Sequence, residues 1–150
     1  MLSRQFIASM NPFKWLHNKL HDTGPTNLRH GTLGEEAAKR LLQKRGLKFL
    51  TANYRTKRGE IDLIFQDDDC LAFVEVKARS SESWNRPAAA VDKDRKLRLS
   101  ECALDYLKSI KNPPVKIRFD IVEVVLDGGQ VVEMRHLPDA FPLSPPHRYG

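Results

Sequence analysis

A chain of 150 residues, 41% hydrophobic and 29% charged, has material for one buried core and no room for two. No apolar run approaches the ~18 residues that cross a bilayer, which excludes an integral helical membrane protein, and two cysteines, Cys70 and Cys102, exclude a disulfide scaffold and point to a reducing, cytoplasmic compartment. The formal charge of +6 and a pI of about 9.5 make nucleic acid and anionic membrane surfaces the first partners to consider.

Residues 1–30 read as an arm of different character. Phe6, Met10, Phe13, Leu16 and Leu20 recur at near-helical spacing, Pro12 interrupts them, and the continuous apolar stretch expected of a secretory signal is lacking. The domain proper is expected over residues 31–141, with a loose tail at 142–150. Thr32 is placed to cap a first helix, and Glu35 three residues on completes a capping box. Leu33, Ala37, Leu41 and Leu42 supply its apolar stripe and Gly46 its stop. Residues 47–55 read as a strand entering the basic turn Thr56-Lys57-Arg58-Gly59. Two runs with period-two alternation follow, Glu60 to Gln66 and Cys70 to Arg79, joined by an Asp-rich turn. The polar loop over residues 80–90 carries Pro87 and Trp84, which reads either as a cap on the core or as a stacking surface for a base. A second helix is expected from about Asp92 to Ile110, with Leu99, Cys102, Ala103, Tyr106, Leu107 and Ile110 on or near its buried face, ending before Asn112-Pro113-Pro114. A closing hairpin, Ile117–Leu126 and Val131–Arg135, turns at Asp127-Gly128-Gly129.

The charge is segregated along the chain. Between Ala37 and Gly59 every charged residue is basic (Lys39, Arg40, Lys44, Arg45, Lys48, Arg55, Lys57, Arg58), whereas between Glu60 and Glu75 every one is acidic (Glu60, Asp62, Asp67, Asp68, Asp69, Glu75). The stretch from Arg86 to Arg118 is basic again. Carboxylates that gather a cation, between flanks that hold a polyanion, produce this pattern; so do ordinary solvated faces.

The central hairpin can be registered from its pattern. With Asp68-Asp69 as a two-residue loop, Ile61, Leu63 and Phe65 oppose Val76, Val74 and Ala72 on an apolar face. On the other face Glu60, Asp62 and Ile64 oppose Lys77, Glu75 and Phe73. A slip of one residue sets apolar positions against charged ones, so the register is strongly specified. Asp62 and Glu75 become cross-strand neighbours with Cβ atoms about 4.5–5.5 Å apart, and Lys77 shares their face. Two carboxylates so close repel, and a proton or a bound cation relieves them. Mg²⁺ or Mn²⁺ on Asp62, Glu75 and the backbone carbonyl of Val76 is the arrangement expected of a hard cation that keeps several waters. A water on such a cation becomes a better nucleophile, and Lys77 is placed to orient it or to stabilise the phosphorane, which points to phosphodiester hydrolysis. The plain alternative is an exposed hairpin whose Glu60–Lys77 pair is a surface salt bridge worth about 0–1 kcal/mol.

Gly59-Glu60-Ile61-Asp62-Leu63-Ile64 followed by Phe73-Val74-Glu75-Val76-Lys77-Ala78-Arg79 resembles the PD-(D/E)xK nuclease superfamily. More narrowly, it resembles the YraN family of small bacterial proteins related to archaeal Holliday-junction resolvases. The similarity spans about residues 31–141 and takes in Gly34-Glu35, Asn53-Tyr54, Pro87, Val91, Arg118-Phe119-Asp120 and Asp139-Ala140-Phe141. It implies a restriction-endonuclease-like α/β fold, a central mixed β-sheet flanked by helices. It carries over Asp62, Glu75 and Lys77 as the catalytic motif and Glu35 as a helix carboxylate joining the metal shell. By analogy with resolvases it also raises a homodimer. Relatives usually carry Lys where this chain has Arg95, flanked by Lys93 and Lys96, and Phe-Gly where it has Trp84-Asn85.

Three functional readings follow. The first is a metal-dependent endonuclease of DNA, branched or otherwise structured DNA included, with Arg55, Lys57, Arg58, Arg79, Lys93, Arg95, Lys96 and Arg98 gripping phosphates. The second is a non-catalytic nucleic-acid-binding protein that keeps the fold, and the third a protein-interaction module that uses the N-terminal arm. For Glu35 helix capping competes with metal binding. Asp67–Asp69 reads as turn chemistry, and His17, His21 and His30 with the two cysteines offer no zinc spacing.

Overall fold

The period-two runs become strands of one five-stranded sheet in the computed structural model, which describes residues 33–81 and 91–150. In chain order the elements are α1 (Leu33–Lys44), β1 (Lys48–Thr56), β2 (Gly59–Asp67), β3 (Cys70–Ser80), α2 (Lys93–Ser109), β4 (Lys116–Asp127) and β5 (Gln130–Phe141). The strands lie in sequence order, antiparallel except for the parallel pair β3–β4, whose connection contains α2. This is a mixed α/β sheet flanked by helices, the restriction-endonuclease-like arrangement. The expected arm, the Thr32 cap, and Trp84, Asn85 and Pro87 lie outside the described residues.

Both faces of the sheet are covered, so the central strands read as buried runs. On one face Ala38 and Leu42 of α1 pack on Leu63, Phe65, Ala72, Val74, Val122 and Val124. On the other, Leu99, Cys102, Ala103, Tyr106 and Leu107 of α2 pack on Ile64, Phe73, Phe119 and Ile121. Gly34 admits α1 to the sheet: a Cβ there would stand 3.4 Å from that of Ala78. Asp92 caps α2, its Oδ1 accepting from the Arg95 N–H at 2.8 Å. Among the described residues no helix is long and apolar enough to cross a membrane.

The β2–β3 register matches the sequence pattern from the turn outward: Asp67 faces Cys70, Phe65 faces Ala72, and Leu63 faces Val74. There the ladder stops. Glu60 does not oppose Lys77; it pairs across β1 with Arg55, Nε to Oε2 at 3.0 Å. Ile61, expected to share a face with Leu63 and Phe65, joins the α2 cluster while those two lie under α1. The alternation therefore breaks at Asp62.

The closing hairpin is longer than its pattern. β5 continues past Arg135 to Phe141, which stacks on Phe119 with ring centroids 5.0 Å apart. As an edge strand with mostly exposed side chains, β5 carries little hydrophobic signal beyond its first turns. It is held by a polar clasp. Asp120, fully buried, accepts from Arg118 Nε (2.9 Å) and Nη2 (3.1 Å) and from the Asp139 N–H (3.0 Å), and it bonds His136 Nε2 at 2.7 Å. Arg118 also reaches Asp67 beside the β2–β3 turn, at 2.7 Å. Burial alone would raise the Asp120 carboxyl, but His136, Arg118 and the Asp139 N–H outweigh it and hold it below its ordinary value. The separate segments around Arg118 and Asp139 are thus parts of one clasp.

Candidate active site

The site forms where β2 and β3 part. Beyond Leu63 and Val74 the strands no longer exchange backbone bonds, and the Asp62 side chain fills the gap by accepting the Val76 N–H on Oδ2 at 2.8 Å. Glu75, on the next strand, is 6% exposed, and Asp62 is 9% exposed. Burial and then the Glu75 charge push the Asp62 carboxyl from its ordinary 3.8 up to about 7, against the lowering effect of the Val76 N–H. Glu35 adds to the rise and Arg95 opposes it.

Glu75 holds a bidentate guanidinium. Arg95, in the first turn of α2, donates from Nε to Oε1 at 3.3 Å and from Nη2 to Oε2 at 2.9 Å. The Lys77 ammonium stands 3.7 Å from Oε1, an ion pair longer than a hydrogen bond. The expected trio of Asp62, Glu75 and Lys77 is thus adjacent, with Arg95 as a fourth member that touches the carboxylate directly.

Two expected ligands stand differently. Among the described residues no group of three or more His, Cys, Asp or Glu side chains is set to hold a metal ion, so Glu35 does not complete a shell with Asp62 and Glu75. Its helix covers the face opposite the one carrying Glu75 and Lys77, and Glu35 acts on Asp62 through its charge. Val76, expected to offer its carbonyl, enters the site through its N–H. The two carboxylates still fit a divalent cation that takes one or two protein oxygens and keeps waters. The raised Asp62 carboxyl marks a place where negative charge is under-compensated.

The basic residues are spread around this centre. Arg55, Lys57 and Arg58 lie at the β1–β2 turn, where Arg55 is paired with Glu60 and Arg58 approaches Asp105 at 3.9 Å. Along α2, Arg98 packs beside Gly59 of that turn, while Lys96 leans the other way, its Nζ 5.6 Å from the ring centre of Phe141. Lys93 is exposed in the first turn of α2, and Arg79 follows Lys77 on β3. Of the eight, Arg95 reaches into the site itself, bonding both oxygens of Glu75.

Sequence reasoning passed over Glu123. It stands alongside Lys77 in the β3–β4 ladder, 3% exposed, and its Oε1 has no hydrogen-bond partner among the described residues. The signal was there: one charge in the apolar run Ile121-Val122-Glu123-Val124-Val125.

The model of the family described as "Uncharacterised protein family UPF0102" matches residues 34–124, which include every carboxylate and lysine named above at the site. A UPF0102 protein of Desulfosudis oleivorans is 42% identical over 112 residues, covering 75% of this chain and 91% of its own. One of Syntrophus aciditrophicus is 41% identical over 119 residues, covering 79% and 92%. One of Dictyoglomus thermophilum is 38% identical over 116 residues, covering 77% and 98%. Similarity of this extent, running from α1 into β4 and carrying the site with it, makes the chain a member of the UPF0102 (YraN) family.

Proposed function

We propose that the protein is a metal-dependent endonuclease that hydrolyses phosphodiester bonds of DNA, branched or otherwise structured DNA included. The observation that carries this reading is the buried pair Asp62 and Glu75 with the Lys77 ammonium beside it. A Mg²⁺ or Mn²⁺ ion on the two carboxylates would neutralise their repulsion and polarise a phosphoryl oxygen. The chain's own groups supply the rest. The Val76 N–H fixes one Asp62 oxygen. Lys77 offers a positive charge on the same face, where negative charge builds on the phosphoryl oxygens during attack. Arg95 and the basic residues to either side of α2 hold the sugar–phosphate backbone. On a four-way junction, two symmetric cuts call for two copies of the chain.

The test is an assay of junctions, flaps and plain duplex with Mn²⁺. Cleavage that Asp62→Ala and Glu75→Ala abolish is expected. Absence of any cleavage that Asp62→Ala removes overturns the catalytic reading.

A second reading, a non-catalytic nucleic-acid-binding protein, draws on the Arg95–Glu75 pair, which satisfies Glu75 without a metal. It predicts DNA affinity that falls steeply with salt and no cleavage with any divalent cation.

A further inference from the structure

Glu123 is the carboxylate that the proposed chemistry leaves unused. It sits mid-strand in β4, 3% exposed, with Oε1 buried and, among the described residues, unpartnered. A carboxylate oxygen in that condition is costly, and in native proteins such a group usually has work or a partner waiting.

Its neighbours are fixed by register. In the parallel pair it lies alongside Lys77, and in the antiparallel pair alongside Arg135. Side chains in register share a face, so Lys77, Glu123 and Arg135 form one row on the α2 side, next to the row that carries Glu75. Yet Lys77 leans along its own strand. Lys77 approaches Glu75 Oε1 at 3.7 Å, although both Glu75 oxygens already accept from Arg95, and Arg135 approaches Glu133 at 3.8 Å with both side chains half exposed.

We propose that Glu123 is a positioning residue for Lys77: when a divalent cation occupies Asp62 and Glu75, the Lys77 ammonium leaves Glu75 and pairs with the open oxygen of Glu123. The inference rests on the cation-binding part of the proposed function. A cation on Glu75 repels an ammonium a few ångströms away, and the in-register carboxylate of Glu123 lies on the adjoining strand, where low exposure strengthens the attraction. Lys77 then has a defined place one strand over and no longer competes with the cation.

Calorimetric titration of the full-length chain with Mn²⁺ tests this, using Glu123→Gln, Lys77→Met and the double variant. Glu123→Gln keeps the shape and removes the charge, so the ammonium stays against the cation and Mn²⁺ affinity falls by roughly tenfold. In the Lys77→Met background the same change should alter affinity by less than about twofold. Glu123→Asp, which retains the charge, should recover part of the loss. An equal loss with and without Lys77 overturns the proposal, because Glu123 then acts on the cation or the fold directly. A loss that requires Arg135, tested with Arg135→Gln, overturns it as well. Should Glu123→Gln fail to fold, Lys77→Met alone decides: a gain in Mn²⁺ affinity below about threefold supports the transfer, and a larger gain overturns it. Wild-type protein that binds no Mn²⁺ removes the proposed cation site together with this inference, whereas Mn²⁺ binding indifferent to Glu123 removes the inference alone.

Discussion

Arg95 and Glu75 form a two-point pair, with Nε on Oε1 at 3.3 Å and Nη2 on Oε2 at 2.9 Å, so the carboxylate expected to bind a metal already holds an organic cation. Any divalent ion at Glu75 competes with that guanidinium. A nearby phosphate would take the released arginine, which makes cation binding and polyanion binding mutually reinforcing.

Arg95→Ala should therefore do two opposite things. It leaves a mostly buried carboxylate with only the longer Lys77 ion pair, lowering stability by about 2–3 kcal/mol, and it removes the competitor, so Mn²⁺ binds more tightly and raises the melting temperature more than in wild type. Thermal melts with and without Mn²⁺ read both effects. Arg95→Lys keeps the charge and loses the second bond, and should fall between.

Asp62 gives stability a pH dependence of unusual sign. Its carboxyl titrates at about 7 when folded against 3.8 ordinarily, so between those values the folded state holds more protons than the unfolded one. The contribution is complete below about pH 4 and is lost as pH rises through about 7, with an upper bound on the order of 4 kcal/mol. Denaturant titrations from pH 4 to 8 should show this decline in wild type and not in Asp62→Asn. Mg²⁺, which competes with the proton, should bind more tightly as pH rises through the same window.

The clasp around Asp120 acts in a different window. Its carboxyl is held below the ordinary value, so its contribution is present above about pH 4 and lost as pH falls through the lower, folded value. Asp120→Asn leaves Arg118 and His136 without their buried anion and should cost about 3–5 kcal/mol. Urea denaturation at pH 7 measures it.

If the β1–β2 turn grips phosphates, Lys57→Ala should weaken DNA binding about equally across sequences and lower the salt slope by roughly one. Affinity measured at several salt concentrations decides; an unchanged slope places Lys57 outside the interface.

The hairpin register was legible because both faces of β2 and β3 are patterned, and a wrong register would have put charge in the core. The α2 boundaries were legible from Asp92 and from Asn112-Pro113-Pro114. The loss of pairing at Asp62 was not. It is a backbone event answered by a side chain, and alternation of residue types carries no mark of it. The partnership of Arg95 with Glu75 depends on where α2 lands after a crossover, which local pattern does not specify. The far half of β5 was missed for a simpler reason: an exposed edge strand has no apolar period to read.

Gly34 has a consequence beyond packing. Because a Cβ there would meet Ala78 at 3.4 Å, this position fixes how closely the first turn of α1 rests on the sheet. Glu35, the next residue, acts on Asp62 through its charge. The absent side chain is therefore a spacer setting: an alanine at 34 would already touch Ala78, and anything larger would have to lift the helix, thin the field of Glu35 at Asp62, and retune the proton affinity of a site that the substituted residue never touches.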